Sequence, residues 1–263
     1  MKWGIFALVA FLCLAACGDD DSDFATRPDG KESSSSEASS SSISPKSSDG
    51  KTKNDGSEYD ADANTLTDFR DGKTYKTVVV GLQTWMAENL NYEAAKSFCY
   101  GGDASNCAKY GRLYTWATAM DSVGEWSTNG EGCGYRTECS PTYPVRGVCP
   151  KGWHLPDTTE WQSLFSAVDG KTAAGKMLKS TSGWYYSDGE NGTDDYSFTA
   201  LPAGFGGFIV SYANGGTYAY FWSSTEYGDL YAYIMELSHD SDKARLASRD
   251  KFFGHSVRCV KDE

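Results

Sequence analysis

The chain has 263 residues, of which 40% are hydrophobic and 14% aromatic, and it carries a formal net charge of −12 at pH 7. An acidic balance of this size argues against a nucleic acid as partner, because phosphate backbones select basic surfaces. The apolar run 5–14 is too short to span a bilayer, and no other segment is long and apolar enough to be read as a membrane span.

The N-terminus has the pattern of an export signal. Met1 and Lys2 precede the short apolar run 5–14, which leads into Leu14-Ala15-Ala16-Cys17. Small residues before a cysteine predict a signal peptide over residues 1–16. This ending resembles a bacterial lipobox, which implies cleavage before Cys17 and acylation of the chain there, palmitate included. Several acyl chains anchor a protein durably, so we expect an outer-membrane lipoprotein, periplasmic or surface-exposed.

The next segment, residues 17–64, reads as the lipid anchor followed by a linker. Residues 18–64 contain twelve acidic and five basic residues, with dense serine and almost no large apolar side chains. Such a composition buries too little surface to offset chain entropy, so we expect a disordered tether. The acidic run after Cys17 also resembles a surface-export signal of some Gram-negative lipoproteins; a merely solvated linker is the alternative.

Residues 65–263 are long enough for one domain with a substantial core. Six cysteines remain in it, and an even count in an exported protein predicts three disulfides in one of fifteen pairings. Cys99 with Cys107, and Cys133 with Cys139, are close enough in sequence to pair locally. Zinc is the alternative, but there is no Cys-x-x-Cys pair and the three histidines lack ligand spacing.

Periodicity predicts a hairpin, two main helices and a series of short strands. A helix is expected at 110–121, and another at 157–170, where Asp157 is a good N-cap with Glu160 three residues later. The remaining predicted elements are the hairpin 73–80 with 83–86, a short helix at 173–179, and strands at 184–186, 196–204, 218–226, 231–237 and 255–260. This order predicts an α+β fold, with two helices packed on a twisted antiparallel sheet and long loops.

Several motifs then match a known family. They are Gly147-Val-Cys-Pro-Lys-Gly-Trp-His-Leu-Pro, Phe198-Thr-Ala-Leu-Pro-Ala-Gly, Phe221-Trp-Ser-Ser-Thr-Glu and Ser256-Val-Arg-Cys-Val-Lys. Together with Val80-Gly-Leu-Gln-Thr-Trp-Met and Tyr110-Gly-Arg-Leu-Tyr-Thr-Trp, they resemble the Fibrobacter succinogenes major paralogous domain over residues 68–261. The domain is typical of exported bacterial lipoproteins, and no settled activity attaches to it.

The resemblance extends to the C-type-lectin-like fold that formylglycine-generating enzymes share. In that fold the N-terminal part meets the last strand, which implies a Cys149–Cys259 disulfide. With the two local pairs, the expected set is Cys149–Cys259, Cys99–Cys107 and Cys133–Cys139. The cysteine chemistry of formylglycine-generating enzymes does not carry over, because three disulfides leave no cysteine free.

Catalytic and metal motifs are sparse. There is no Gly-x-Ser-x-Gly, His-Glu-x-x-His or phosphate loop. His154 and His255 flank the expected long disulfide, so they are neighbours either as a hydrogen-bonded structural pair or as a metal or acid/base site. Calcium has one candidate loop, whose oxygen ligands would be Asp188, Glu190, Asn191, Asp194 and Asp195; a solvated acidic loop is the alternative.

Aromatic residues are the most suggestive feature. Rings in glycine-rich loops give flat faces for stacking sugars or for protein contacts. The candidates are Trp184, Tyr185, Tyr186, Tyr218, Tyr220 and Tyr227, each with a core position as the alternative. Trp153, Trp161 and Trp222 are assigned to the core.

We therefore expect a non-catalytic binding or adhesion domain on a flexible stalk, without a cofactor unless calcium binds. Its ligand would be a polysaccharide or a surface protein. An exported enzyme on the same fold, depending on His154 or Asp195, and a structural subunit of an envelope assembly are the alternatives.

Overall fold

The structure is a computed structural model that describes residues 54–185, 192–207 and 210–263, with only the backbone of Val210. The expected signal peptide, Cys17 and most of the expected linker lie outside these residues. Contacts divide the chain at Gly50, and every described residue belongs to the second unit, Lys51–Glu263. Among these residues, no helix has the length and apolarity to cross a bilayer.

The described elements are mostly short strands. In chain order the strands are β1 (Ser57–Asp60), β2 (Thr65–Asp68), β3 (Lys73–Val80), β4 (Gln83–Met86), β5 (Ser97–Phe98), β6 (Leu113–Tyr114), β7 (Trp153–His154), β8 (Phe205–Gly207), β9 (Val210–Ala213), β10 (Tyr218–Tyr227), β11 (Tyr231–Ser238), β12 (Ala244–Asp250) and β13 (Val260–Lys261). The helices are α1 (Ala104–Tyr110), α2 (Trp116–Ala119), α3 (Thr158–Ala167) and α4 (Ala174–Leu178). The described chain is thus α+β, with four short α-helices against curled antiparallel sheets.

The largest sheet joins distant parts of the chain. Its strand order is β1-β2-β3-β4-β13-β7, so the C-terminal strand lies between β4 and β7. Val260 of β13 is opposite Trp85 on one side and His154 on the other. The hairpin β3–β4 occurs where the sequence predicts it.

The first strand begins inside the segment assigned by composition to the linker. Ser57–Asp60 pairs in register with Thr65–Asp68. Asp60 shapes the turn between them, because its Oδ1 accepts the backbone N–H groups of Asp62 and Ala63, both at 2.9 Å. The sheet therefore starts before residue 65, and a four-residue polar strand has too little apolar pattern to reveal this in the sequence.

Helix α3 has the predicted start. The side chain of Asp157 accepts from the N–H groups of Thr159 and Glu160 at 2.7 and 2.9 Å, and Glu160 accepts from the N–H of Asp157 at 2.9 Å. This is a complete capping box. Trp161, Leu164 and Phe165 form its buried stripe. The short helix predicted near residue 175 is α4.

The helix predicted at 110–121 is wrong in its first half. Leu113–Tyr114 is a strand that pairs with β5, and Tyr114 also exchanges backbone hydrogen bonds with His255 at 2.8 and 3.0 Å. Only Trp116–Ala119 is helical, with Thr115 as its N-cap. The missed helix is α1, which begins after the N-cap Asp103.

Aromatic runs also misled the strand prediction. Residues 184–185 and 196–204 contain no named strand in the described part, whereas β12, a polar edge strand, was not predicted.

All six cysteines of the domain are paired, as Cys99–Cys107, Cys133–Cys139 and Cys149–Cys259. This is the pairing that the family resemblance implies.

The sheet β10-β11-β12 separates two hydrophobic clusters. Trp222 and Ile234, opposite each other, join the cluster around Trp116 and Trp153. Their neighbours on the opposite face, Phe221 and Met235, join the cluster that also contains Trp85, Trp161 and Leu164. Successive side chains of a strand point to opposite faces, so one sheet serves both cores. Trp153, Trp161 and Trp222 are buried, as predicted.

Candidate functional site

One end of the three-stranded sheet exposes tyrosines. Tyr227 and Tyr231 face each other across the turn that joins β10 to β11, and Tyr233 follows two residues later on the same face. On the edge strand β12, Asp250 lies opposite Tyr231 and Ser248 opposite Tyr233. Directly opposed residues share a face. We call these five residues the tyrosine face.

The tyrosine face is open to solvent. Tyr227 is 55% exposed and Tyr231 39% exposed, while Tyr233 is half-buried. The rings of Tyr227 and Tyr233 meet edge to face, with centroids 5.3 Å apart. Within the described residues, the side chains of Ser248 and Asp250 have no hydrogen-bond partner. Flat rings beside uncommitted polar groups can stack on a ring-shaped ligand and hydrogen-bond to its substituents.

A groove continues this face toward helix α3. Its volume is about 650 Å³, within the usual range of ligand sites. We call it the basic groove, since Lys171, Lys243 and Arg245 are in its lining and no acidic residue is; the guanidinium of Arg245 itself pairs with Glu236 on the opposite face of the sheet. The lining residues are Gln162, Phe165, Lys171, Thr172, Lys243, Ala244, Arg245 and Leu246.

The opposite face of the same sheet is filled by its own side chains. Tyr218 stacks on Tyr220 with centroids 5.4 Å apart. The hydroxyl of Tyr220 accepts from Asn214 at 2.8 Å, and burial raises the pKa of that phenol. Buried Glu236 pairs with Arg245 and Arg249. Tyr220 is therefore a core residue rather than a ligand platform, and Tyr218 is half-buried against it.

The remaining aromatic candidates fall into three cases. Trp184 is buried, and its indole N–H donates to Ser180 Oγ and to the carbonyl of Ala200 at 3.1 and 3.2 Å, so it occupies the core position that was its alternative. Tyr185 is 61% exposed, and its ring meets that of His239 edge to face at 5.8 Å. His239 follows the end of β11 that is remote from Tyr231, so Tyr185 is not part of the tyrosine face. Tyr186 lies outside the described residues.

The proposed calcium loop is only partly described, since Asp188, Glu190 and Asn191 lie outside. The carboxylate of Asp194 accepts two local hydrogen bonds, one from the backbone N–H of Thr199 at 2.6 Å and one from the Thr199 hydroxyl at 2.7 Å. Asp195 is exposed. In the part of the chain that the structure covers, no three His, Cys, Asp or Glu side chains come together as a metal site.

His154 and His255 do not form the expected pair. Both nitrogens of His154 are taken by carboxylates, Nδ1 by Asp262 at 2.6 Å and Nε2 by Glu160 at 2.7 Å. Burial lowers the pKa of His154, but the hydrogen bonds and charges of Glu160 and Asp262 outweigh it and raise the pKa above its usual value. A depression of about 600 Å³ opens beside it. With both nitrogens engaged, His154 offers no free base to a substrate there.

His255 is buried among rings, with Trp222 at 4.5 Å and Tyr220 at 5.2 Å. Neither of its nitrogens has a hydrogen-bond partner in the described part. Burial, helped by the charge of Arg249, lowers its pKa to about 3, so it is neutral at physiological pH. The two histidines thus lie in separate environments, and no acid/base or metal pair results.

Sequence reasoning missed Tyr231 and Tyr233. The signal was present: Tyr231-Ala-Tyr233 alternates across a Gly-Asp turn from Tyr227, which predicts one shared face. Ser248 and Asp250 could not be placed because β12 itself was not predicted.

Comparison with known proteins gives one match. No curated protein and no solved structure is similar enough to this chain to count as a match. The family model described as the Fibrobacter succinogenes major domain matches residues 78–261. This match covers well over half of the chain and includes both the tyrosine face and the basic groove. The chain therefore belongs to the Fibrobacter succinogenes major domain family.

Proposed function

We propose that this chain is a cell-envelope lipoprotein whose C-type-lectin-like domain binds a polysaccharide without catalysis, through the tyrosine face. The lipobox-like Cys17 and the acidic serine-rich stalk support export and display at the outer membrane. The pairing of β13 with β4, which brings the C-terminal strand to the N-terminal hairpin, supports the lectin-like fold.

The observation that carries the proposal is the exposed cluster of Tyr227, Tyr231 and Tyr233 beside Asp250. Tyrosine rings stack on the apolar faces of sugar rings, while their hydroxyls and a carboxylate bind sugar hydroxyls. A protein partner would need a broader apolar centre. Here the rings are flanked by polar side chains on the edge strand.

Binding can be tested with the full-length chain, purified in detergent, on a panel of insoluble and soluble polysaccharides. We expect retention of wild type by at least one polymer and its loss in the triple variant Tyr227→Ala, Tyr231→Ala and Tyr233→Ala. Tyr185→Ala, an exposed tyrosine elsewhere, is the matched control and should bind like wild type. If no polymer retains the wild type, or if the triple variant binds equally well, the proposal is wrong.

Anchoring needs its own experiment. Metabolic labelling with an alkyne analogue of palmitate should mark the wild-type chain and leave Cys17→Ser unmarked. Protease added to intact cells should remove the domain if it is displayed outward. Labelling that survives in Cys17→Ser would contradict the lipid anchor without bearing on polysaccharide binding.

A further inference from the structure

The basic groove has no counter-charge of its own. Lys171 and Lys243 are exposed, and neither side chain forms an ion pair or hydrogen bond within the described residues. Arg245 pairs with Glu236 at 3.0 Å, yet its side chain stays 62% exposed. The acids nearest in sequence, Asp169 and Asp242, are not among the lining residues, and Asp242 acts electrostatically on buried Lys179. In a chain with a net charge of −12, a groove whose charged lining residues are all cationic is a local exception.

The groove is held by the fold rather than by loose side chains. The N–H of Ala244 donates to the carbonyl of Lys171 at 2.9 Å, which fixes the loop after α3 against the start of β12. The N–H of Lys176 donates to the carbonyl of Asp242 at 3.2 Å on the same side. Phe165 comes from the buried stripe of α3, so one wall of the groove is part of the core.

The groove and the tyrosine face follow each other along one strand. Leu246, in the groove lining, lies opposite Met235; Ser248 and Asp250 follow it on the same face, opposite Tyr233 and Tyr231. At about 3.4 Å per residue, the distance from Leu246 to Asp250 is about 14 Å. An extended polymer lying along β12 would therefore meet tyrosine rings at one end and cationic side chains at the other.

We infer that the ligand is an acidic polysaccharide, whose carboxylate-bearing sugar occupies the basic groove while neighbouring sugars contact the tyrosine face. This inference rests on the proposed function and adds the charge of the ligand to it. Lys171 and Lys243 would supply ammonium groups to the carboxylate. Gln162 and Thr172 would bind sugar hydroxyls, and Phe165 with Leu246 would contact the apolar side of the ring.

Polygalacturonate and its fully methyl-esterified form make a matched pair of probes, since they share a backbone and differ in charge. We expect the full-length chain to bind the acid about tenfold more tightly than the ester, or about 1.4 kcal/mol, from two exposed charge contacts. This preference should weaken as sodium chloride rises from about 0.05 to about 0.5 M.

Variants separate this inference from the proposed function. Lys171→Gln with Lys243→Gln should lower the affinity for the acid to that for the ester. Lys76→Gln with Lys96→Gln, two exposed lysines outside the groove, should leave both affinities unchanged. Equal wild-type affinities for acid and ester, or an acid preference that survives in the groove variant, would overturn the inference and leave the proposed function standing. Loss of both polymers in the tyrosine variant supports the proposed function alone.

Discussion

Two regions of the domain use polar side chains in opposite ways. We call β13 (Val260–Lys261) and the residues packed around it the junction. Arg258 is completely buried there and His154 nearly so, and the polar groups of both side chains form hydrogen bonds within the chain. On the tyrosine face and in the basic groove, Tyr231, Asp250 and Lys243 have no such partners in the described residues. The charged side chains of the junction are bound within the fold, and those of the other region are left to solvent or to a ligand.

This difference distinguishes side chains that stabilise the fold from side chains that remain available to a ligand. A buried charged group without a partner costs free energy, so Arg258 and His154 depend on the partners that the junction supplies. An exposed polar group is solvated by water and costs nothing when unpaired, so it can be kept for an external molecule. Substitutions in the junction should therefore lower stability, whereas those on the tyrosine face should lower binding.

The largest expected effect is loss of the long disulfide. Cys149–Cys259 closes 110 residues and Cys99–Cys107 closes 8. In the chain-entropy model, Cys149→Ala with Cys259→Ala should lower the free energy of unfolding by about 4–5 kcal/mol, and Cys99→Ala with Cys107→Ala by about 2–3 kcal/mol. Urea unfolding of the oxidised proteins measures both. Equal losses would show that the long bridge does not hold the junction together.

Arg258 comes next. Its guanidinium donates to Asn89 Oδ1 at 2.9 Å, to the carbonyl of Thr199 at 2.8 Å and to that of Phe198, and burial lowers its pKa to about 9. Arg258→Met keeps the apolar stem but leaves these acceptors without donors, so it should lower the free energy of unfolding by about 3 kcal/mol.

Arg245→Met is the matched control for Arg258. Its side chain is mostly exposed, and Glu236 keeps Arg249 when Arg245 is removed. The expected loss is below about 1 kcal/mol. Chemical denaturation of both variants compares them, and an equal loss would mean that the buried hydrogen bonds of Arg258 contribute little.

The junction was partly foreseeable from the sequence. Asp157 and Glu160 predicted the start of α3 because a capping box depends on residues three positions apart. The partners of Arg258 come from residues 89, 198 and 199, which only the three-dimensional fold brings together. Likewise, Glu160 was predicted as a cap, but its second contact, with His154, was not.

The tyrosine face was harder to foresee for another reason. A tyrosine run signals a strand or an aromatic loop, but it does not say which ring faces the core. Tyr220 is buried and Tyr227 exposed on one strand, because the odd spacing between them places their rings on opposite faces of the sheet. The irregularity between Trp222 and Glu226 offsets the register of the two strands, and Ser223-Ser224-Thr225 carries no clear signature of it, so the sequence did not show that Tyr227 pairs with Tyr231.

A smaller effect concerns pH. The pKa of His154 is raised in the fold, since Glu160 and Asp262 favour the imidazolium more strongly than burial opposes it. Its contribution is therefore complete below the unfolded pKa, near about 6.5, and is lost as pH rises through the folded pKa. His154→Gln should lower the free energy of unfolding by about 1–2 kcal/mol at pH 6, and by less at pH 9.

The third histidine serves as the control for this experiment. His239 contacts Tyr185 at the surface and is not part of a carboxylate pair in the described residues. The stability difference between wild type and His239→Gln, measured at pH 6 and at pH 9, gives the background against which the His154→Gln difference is compared. If the His154→Gln difference changes with pH no more than this background does, the imidazolium does not hold Glu160 and Asp262 together.

The smallest effect on stability is expected on the tyrosine face, and it gives the comparison its sharpest test. Tyr231→Ala removes a ring that is 39% exposed, so the free energy of unfolding should change by no more than about 0.5 kcal/mol. Under the proposed function the same substitution should weaken polysaccharide binding, because this ring would contact the ligand. Tyr231→Phe keeps the ring and removes only the hydroxyl, so a weaker loss of binding would assign the contact to stacking. A large loss of stability in Tyr231→Ala, with binding unchanged, would show that Tyr231 stabilises the fold, as the junction residues do, and does not bind the ligand.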